Sequence, residues 1–295
     1  MGVKGGVEKA STLMMPLLIV LSIIIALYSV TRPGAWEGVK YYFTPHLSDV
    51  SPNTLLGAMG QMFYSMSLAM GIMVTYGSYM PDGEDIEKSV GQIELFDTGV
   101  ALLAGLMIIP AVFAFSGGDS EALNAGPGLM FVTMPKVFAS MHLGTLIGIV
   151  FFVLVFFAAL TSCISLYETV VSILGDRFHM NRRNACIVTY IICIVLGLLS
   201  AMGYGTLSGI QPLGMAFLDF FDFISNSVLM PIVALLSCLF LGWVVGIDYI
   251  AKEVKKNSSF RREPMFRVMI RWIAPIFLVA ILVSSVLCAL GIISI

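Results

Sequence analysis

Two short stretches of this chain carry the residue types from which a binding site could be built. The first, residues 57–71, sets Gln61, Tyr64, Ser65 and Ser67 in the middle of an apolar run, with Gly60 and Gly71 on either side. Two arrangements fit it. In a continuous helix the serines bond back to carbonyls one turn earlier. In a helix that breaks here, freed carbonyls and the Ser65 and Ser67 hydroxyls would coordinate a cation or a substrate, and the start of the second half would present partial positive charge. The second stretch, residues 158–168, reads Ala-Ala-Leu-Thr-Ser-Cys-Ile-Ser-Leu-Tyr-Glu. At helical spacing Thr161, Ser165, Glu168 and Ser172 fall within about 60° of one another. Asp176 continues that stripe. Hydroxyls that glue one helix to another account for Ser165 and Ser172. An intramembrane carboxylate is costly, so Glu168 points to function. Oxygen ligands without nitrogen or sulfur suit a hard cation, and Na⁺ fits a site of hydroxyls, carbonyls and a single carboxylate. Three further carboxylates need partners: Asp97 at the cytoplasmic end of one apolar run, and Asp219 and Asp222 at the outer end of another.

Other chemistries find no support. There is no serine-hydrolase elbow, no HExxH and no P-loop. His46, His142 and His179 fall between apolar runs and do not cluster. The five cysteines lie in or beside apolar runs and form no CxxC pair, as expected of small buried hydrophobes. The expectation is therefore neither an enzyme nor a metalloprotein.

The elements that must hold these residues are membrane helices. Of 295 residues, 58% are hydrophobic and 12% charged, and mean hydropathy is +0.96. A soluble domain carries about 25% charged residues and could not cover its surface with so few. Disordered, nucleic-acid-binding, coiled-coil and ordinary cytosolic classes are excluded, and a net charge of −2 gives no global field for an anionic partner. Seven apolar runs stand out, at about 13–30, 55–79, 95–116, 145–174, 185–202, 217–247 and 265–293. Several exceed one perpendicular crossing and must tilt, bend or protrude. Arg32-Pro33 follows the first run where a cleaved signal peptide would show small residues, so no such peptide is expected. With seven spans, 13 of the 16 basic residues fall on one side and Arg32, Lys40 and Lys136 on the other. That bias predicts a cytoplasmic N-terminus and an outer C-terminus. Residues 117–144, one outer loop, are too apolar for solvent and too short to span, which predicts a helical hairpin packed on or dipping into the protein.

At these residues the chain becomes recognisable. The run from Gly60 to Gly71, followed by Val-Thr-Tyr-Gly-Ser-Tyr79, resembles the unwound sixth span of the neurotransmitter:sodium symporter family. Residues 95–105, ending Ile-Pro-Ala-Val-Phe-Ala-Phe115, are similar to the seventh span of its bacterial members. Phe156-Phe-Ala-Ala-Leu-Thr-Ser162 is similar to the eighth, and Pro127-Gly-Leu-Met-Phe-Val-Thr-Met-Pro135 to the outer-loop hairpin. The resemblance implies an all-α polytopic membrane protein, one transmembrane domain over 1–295, that carries the second half of a broken-helix inverted-repeat fold.

It also implies residue roles. Tyr64, Ser65, Ser67, Met70, Ser162 and Leu166 match substrate-pocket positions, and the substrate would be a small organic molecule, an amino acid. Ser65 matches a hydroxyl of the first Na⁺ site. The Ala158 carbonyl and the Thr161 and Ser162 hydroxyls match the second. Asp97 falls where the family has an Asn ligand of the first site, or near where chloride-independent members place a carboxylate in lieu of chloride. Chloride dependence is left open. Asp222 matches the outer-gate carboxylate, and Tyr79 and Asp176 match inner-gate positions. Glu168 receives no role from the comparison. The family has 11 or 12 spans, and this chain begins with what resembles the fifth. The missing first span would bring ligands to both Na⁺ sites and the Arg partners of both gates. A separately encoded N-terminal part is thus an expected partner, beside the bilayer, and a non-transporting fragment is the alternative.

Overall fold

A computed structural model describes residues 8–45, 50–117 and 126–289. His46, Lys4, the first part of the expected hairpin (118–125) and the end of the last apolar run (290–293) lie outside the described residues. Most of the described residues are helical. The helices are α1 (Glu8–Val30), α2 (Ala35–Phe43), α3 (Pro52–Ser65), α4 (Ile72–Ser78), α5 (Ile86–Ser116), α6 (Leu129–Ser140), α7 (Gly144–Phe178), α8 (Arg182–Met202), α9 (Phe217–Lys255) and α10 (Glu263–Cys288). Six of them, α1, α5 and α7–α10, are long and apolar enough to cross a membrane.

The chain divides into two units, residues 1–48 with 95–165 and residues 49–94 with 166–295. Helices α5 and α7 contribute residues to both.

In the first unit Leu18 and Ile25 of α1 pack with Met107 and Val112 of α5, Met134 and Phe138 of α6, and Phe151 of α7. Pro110 removes one helical bond from α5, and the Ser29 hydroxyl donates to the nearby Met107 carbonyl, 2.8 Å. Helix α2, inside what the sequence offered only as an outer loop, lies against this turn. A Cβ on Gly38 would stand 2.9 Å from the Pro110 Cα, so a glycine is needed for the approach. Helix α6 lies within the expected hairpin, π-helical at Leu129–Thr133 and α-helical over Met134–Ser140. Met134, Val137 and Phe138 are buried, which explains an apolar sequence in a loop too short to span.

In the second unit the run expected over 55–79 is not one helix. Ser51 and Thr54 close a capping box at the start of α3, and the helix ends at Ser65, six residues before α4. The third apolar run also differs from expectation. Helix α5 starts at Ile86, not at 95, so Asp97 lies well inside the helix rather than at its end. Counting apolar residues misses the start because Glu87 and Glu94 interrupt it, and both have partners. Glu87 accepts the Arg261 and Arg262 backbone N–H groups (2.8 and 3.1 Å), and Glu94 pairs with Arg262 at 2.6 Å. Asp85, just before the helix, accepts the Lys88 N–H at 2.9 Å, which holds its carboxyl below the ordinary range.

Helix α9 has 39 residues, about 58 Å at 1.5 Å each, far more than a bilayer needs. It turns at Gly246, whose φ is +86°. Beyond it Ile247, Ala251 and Val254 are buried, four and three residues apart, while Asp248, Lys252 and Lys255 alternate with them. That pattern suits a helix lying along a surface rather than crossing lipid.

Candidate functional site

The break between α3 and α4 is built from backbone. Ser67 N–H bonds to the Tyr64 carbonyl (3.0 Å) and Leu68 N–H to that of Phe63 (2.9 Å), which closes α3. Ser67, Ala69 and Gly71 then take left-handed φ values of 55°, 61° and 80°. A chain alternating in this way cannot continue the helical ladder. Among the described residues the carbonyls of Met66 through Met70 accept no backbone N–H. Non-helical backbone at membrane depth is tolerated only where it is buried in protein or lines a cavity. Ser67 and Met70 are half-buried within the turn, while Tyr64 and Ser65 are exposed at the end of α3. All four belong to the second unit, as does Leu166, which is exposed on α7.

The first unit holds the other expected cation ligands. Thr161 donates its hydroxyl to the Ala158 carbonyl at 2.9 Å, and Ser165 donates to the Thr161 carbonyl at 3.1 Å. Two oxygens 2.9 Å apart can both touch one hard cation, since calcium-sized ions take oxygens at about 2.3–2.6 Å. The donor set of this turn, hydroxyls and carbonyls only, therefore fits Na⁺. Ser162 follows on the same turn and is exposed, and Asp97 is half-buried on α5.

Glu168 has a role in the structure that its stripe did not reveal. It is 4% exposed. Arg182, the first residue of α8, reaches both of its oxygens, at 3.0 and 2.6 Å, and the Tyr79 hydroxyl donates to the same carboxylate at 3.1 Å. A bidentate guanidinium and a phenol together satisfy a buried carboxylate. Of the two expected inner-gate residues, Tyr79 meets Glu168, and Asp176 lies exposed two turns further along α7. Arg182 is the residue that sequence reasoning missed. A buried Glu168 demanded a cation, and Arg177, Arg182 and Arg183 were the nearest in sequence. Asp222 is exposed and accepts from Asn226 at 2.5 Å. Asp219 is exposed as well. Among the described residues no group of three or more metal-ligating His, Cys, Asp or Glu occurs.

These features define a multi-pass, helical membrane protein with a broken helix and, on another helix, a turn of hydroxyls and carbonyls. The comparisons narrow the class. Residues 1–291 match the sodium:neurotransmitter symporter family, and the chain belongs to it. This is a family of sodium-coupled transporters, not of enzymes. The chain is 36% identical over 287 residues to the sodium-dependent transporter YhdH of Bacillus subtilis, covering 97% of this chain and 63% of that one. It is 31% identical to a sodium-dependent transporter of Haemophilus influenzae, covering 96% and 61%. The crystal structure of MhsT in complex with L-phenylalanine superposes with a TM-score of 0.84 at 36% identity, covering 96% of this chain and 64% of MhsT. The chain therefore spans about three fifths of the length of the relatives it matches.

Proposed function

We propose that this chain takes part in Na⁺-coupled symport of an amino acid, working with a segment equivalent to the first four spans of its relatives, on the same or a separate polypeptide. The observation that carries this reading is the break at residues 66–71, where carbonyls without a backbone N–H partner and the Ser67 hydroxyl stand in an apolar run. Tyr64, Ser65, Ser67, Met70, Ser162 and Leu166 line the substrate pocket in this reading. Ser65 serves one Na⁺ site, and Ala158, Thr161 and Ser162 serve another. Asp97 serves either the first Na⁺ site or the place of chloride. Asp222 closes the outer side, and Tyr79 with Asp176 the inner. Na⁺ and substrate drive alternating access through their different affinities for the two states. L-phenylalanine bound to MhsT supports an amino-acid substrate. The N-terminus is cytoplasmic and the C-terminus outside.

The test is uptake into liposomes. The chain alone, and the chain co-expressed with the first four spans of a relative, are reconstituted and supplied with labelled amino acids. Uptake by the assembled pair that requires an inward Na⁺ gradient is the expected result. An assembled pair that shows no Na⁺-driven uptake of any amino acid rules the reading out. The exposure of Tyr64 and Ser65 favours a second reading, a membrane subunit that does not transport by itself. Na⁺-driven uptake by the chain alone would refute it.

A further inference from the structure

The apolar helix α10 carries a cation without a carboxylate. Arg267, one turn earlier, is paired with Asp248 at 2.5 Å and Glu263 at 2.7 Å. Arg271 meets no acid and makes no hydrogen bond among the described residues. Its contact is the face of Trp243 on α9, with the guanidinium carbon 4.8 Å from the ring centroid. Trp243 in turn meets Trp272 edge-on, ring centroids 5.4 Å apart and planes at 79°. The indoles are 52% and 55% exposed, and Arg271 is exposed beside them.

The backbone around this cluster is unusual on both helices. Trp243 lies in the π-helical segment Phe240–Gly246, and Arg271 and Trp272 lie in another, Met269–Ile273. The two segments meet at Gly242, where a Cβ would stand 3.6 Å from Ile270 and 3.7 Å from the Arg271 Cα. π turns are rare and concentrate at functional sites. Here they change the helical register of both helices at the level where the indoles and the guanidinium emerge on one face.

The chemistry of that face selects its occupant. Arg271 is eight residues from Glu263, about 12 Å along the helix. From that depth a long cationic side chain extends towards the headgroup level, which is also where tryptophans concentrate. A charge in an apolar helix is costly unless compensated, and among the described residues of the second unit only the face of Trp243 attends this one. Its N–H fork remains available and matches phosphate oxygens in two-point geometry. Phe240, Val244 and Ile276, at 55%, 74% and 66% exposure, extend the same neighbourhood as bare apolar surface. A free anion would leave that surface uncovered. A molecule with a phosphate at one end and acyl chains at the other covers both.

We propose that Arg271, Trp243 and Trp272 form a headgroup site for an anionic phospholipid, in the leaflet at the Glu263 end of α10. The proposal does not depend on the transport reading. The phosphate accepts from the Arg271 guanidinium, the indoles flank the glycerol region, and the chains lie over the apolar surface. A phosphatidylcholine headgroup presents the same phosphate with a cation attached and is disfavoured beside Arg271.

The experiment uses the full chain bearing Trp36→Phe, which leaves Trp243 and Trp272 as the only indoles. It is reconstituted in phosphatidylcholine bilayers doped with brominated phosphatidylglycerol or, separately, brominated phosphatidylcholine, and tryptophan quenching is followed. Half-quenching is expected at about a fivefold lower mole fraction of the anionic lipid, the factor that one basic residue at the surface provides. Arg271→Lys keeps part of the preference, and Arg271→Gln abolishes it. Equal quenching by the two lipids in the parent overturns the proposal, as does a preference that survives in Arg271→Gln. If Arg271→Gln does not reconstitute, the parent comparison alone decides.

Discussion

Glu168 shows how a single buried charge divides its dependence unequally between partners. The carboxylate is enclosed, whereas the Arg182 side chain is 48% exposed. Removing the arginine leaves an unpaired carboxylate inside the protein. Removing the carboxylate leaves a guanidinium that water can still reach. Arg182→Ala is therefore expected to lower stability by about 3–5 kcal/mol. Glu168→Gln, which keeps an acceptor for Tyr79, should cost about 1 kcal/mol. Reversible unfolding in mixed micelles measures both, and equal losses would contradict the asymmetry. Thr161 raises a different question at the same scale. Its hydroxyl and the Ala158 carbonyl lie close enough to share a cation, while Ser172 lies further along α7, outside that turn. In a complete relative, Thr161→Ala should weaken apparent Na⁺ affinity about tenfold or more, and Ser172→Ala should leave it near the parent value. Matching Na⁺ titrations of uptake for the two variants would remove the Na⁺ assignment from this turn.

At the scale of elements, the break between α3 and α4 depends on backbone conformations that side-chain hydropathy does not register. Gly71 holds φ +80°, and a Cβ there would stand 3.1 Å from the Thr169 methyl. Gly71→Ala is expected to cost about 1–2 kcal/mol from the left-handed conformation, with the methyl contact adding to it. Ala69→Gly relieves the same kind of strain at φ +61° and loses some of that gain to the more flexible unfolded chain, so it should be neutral or slightly stabilising. Thermal melts of the two variants check the opposite signs. A continuous α3–α4 helix would give the reverse order, with alanine favoured over glycine. Sequence reading left both forms open because Ser65 and Ser67 suit either, and resemblance to a known broken span favoured one. The same blindness hid the true start of α5, since Glu87 and Glu94 read as loop charges until their partners at Arg261 and Arg262 are known. The π-helical segments of α9 and α10 left no trace in periodicity, because the neighbouring turns are apolar nearly all round and offer no stripe whose phase an extra residue could shift. Helix α6 was legible as something apolar and packed, because apolarity without enough length to span has few other outcomes.

For the whole molecule, composition was the strongest signal: of the seven apolar runs expected of a 58% hydrophobic chain, six form membrane-length helices among the described residues. Orientation is a separate matter and depends on parity. Six crossings return the C-terminus to the starting side, and a seventh sends it across. In the seven-span count the seventh is the α3–α4 pair, whose halves of 14 and 7 residues are each too short to span. Together with the intervening turn they cover residues 52–78, enough length to cross if the turn stays within the membrane. The basic residues divide 13 to 3 on either count, so they mark the cytoplasmic side without deciding whether α3–α4 crosses. Counting α3–α4 as non-crossing inverts every basic residue after Ser78, so that Lys4, Lys9 and Lys136 become the minority and the N-terminus, not the C-terminus, changes sides. The expectation follows for the full chain with a reporter joined to its C-terminus. Alkaline phosphatase, active only outside the cytoplasm, should be active there, and green fluorescent protein at the same place should be dark. Green fluorescent protein joined instead to the N-terminus should be bright; a dark N-terminal fusion beside an active C-terminal phosphatase would mean that the broken helix enters and leaves on one side. It would also place the carbonyls of residues 66–70 in a re-entrant loop rather than midway along a crossing.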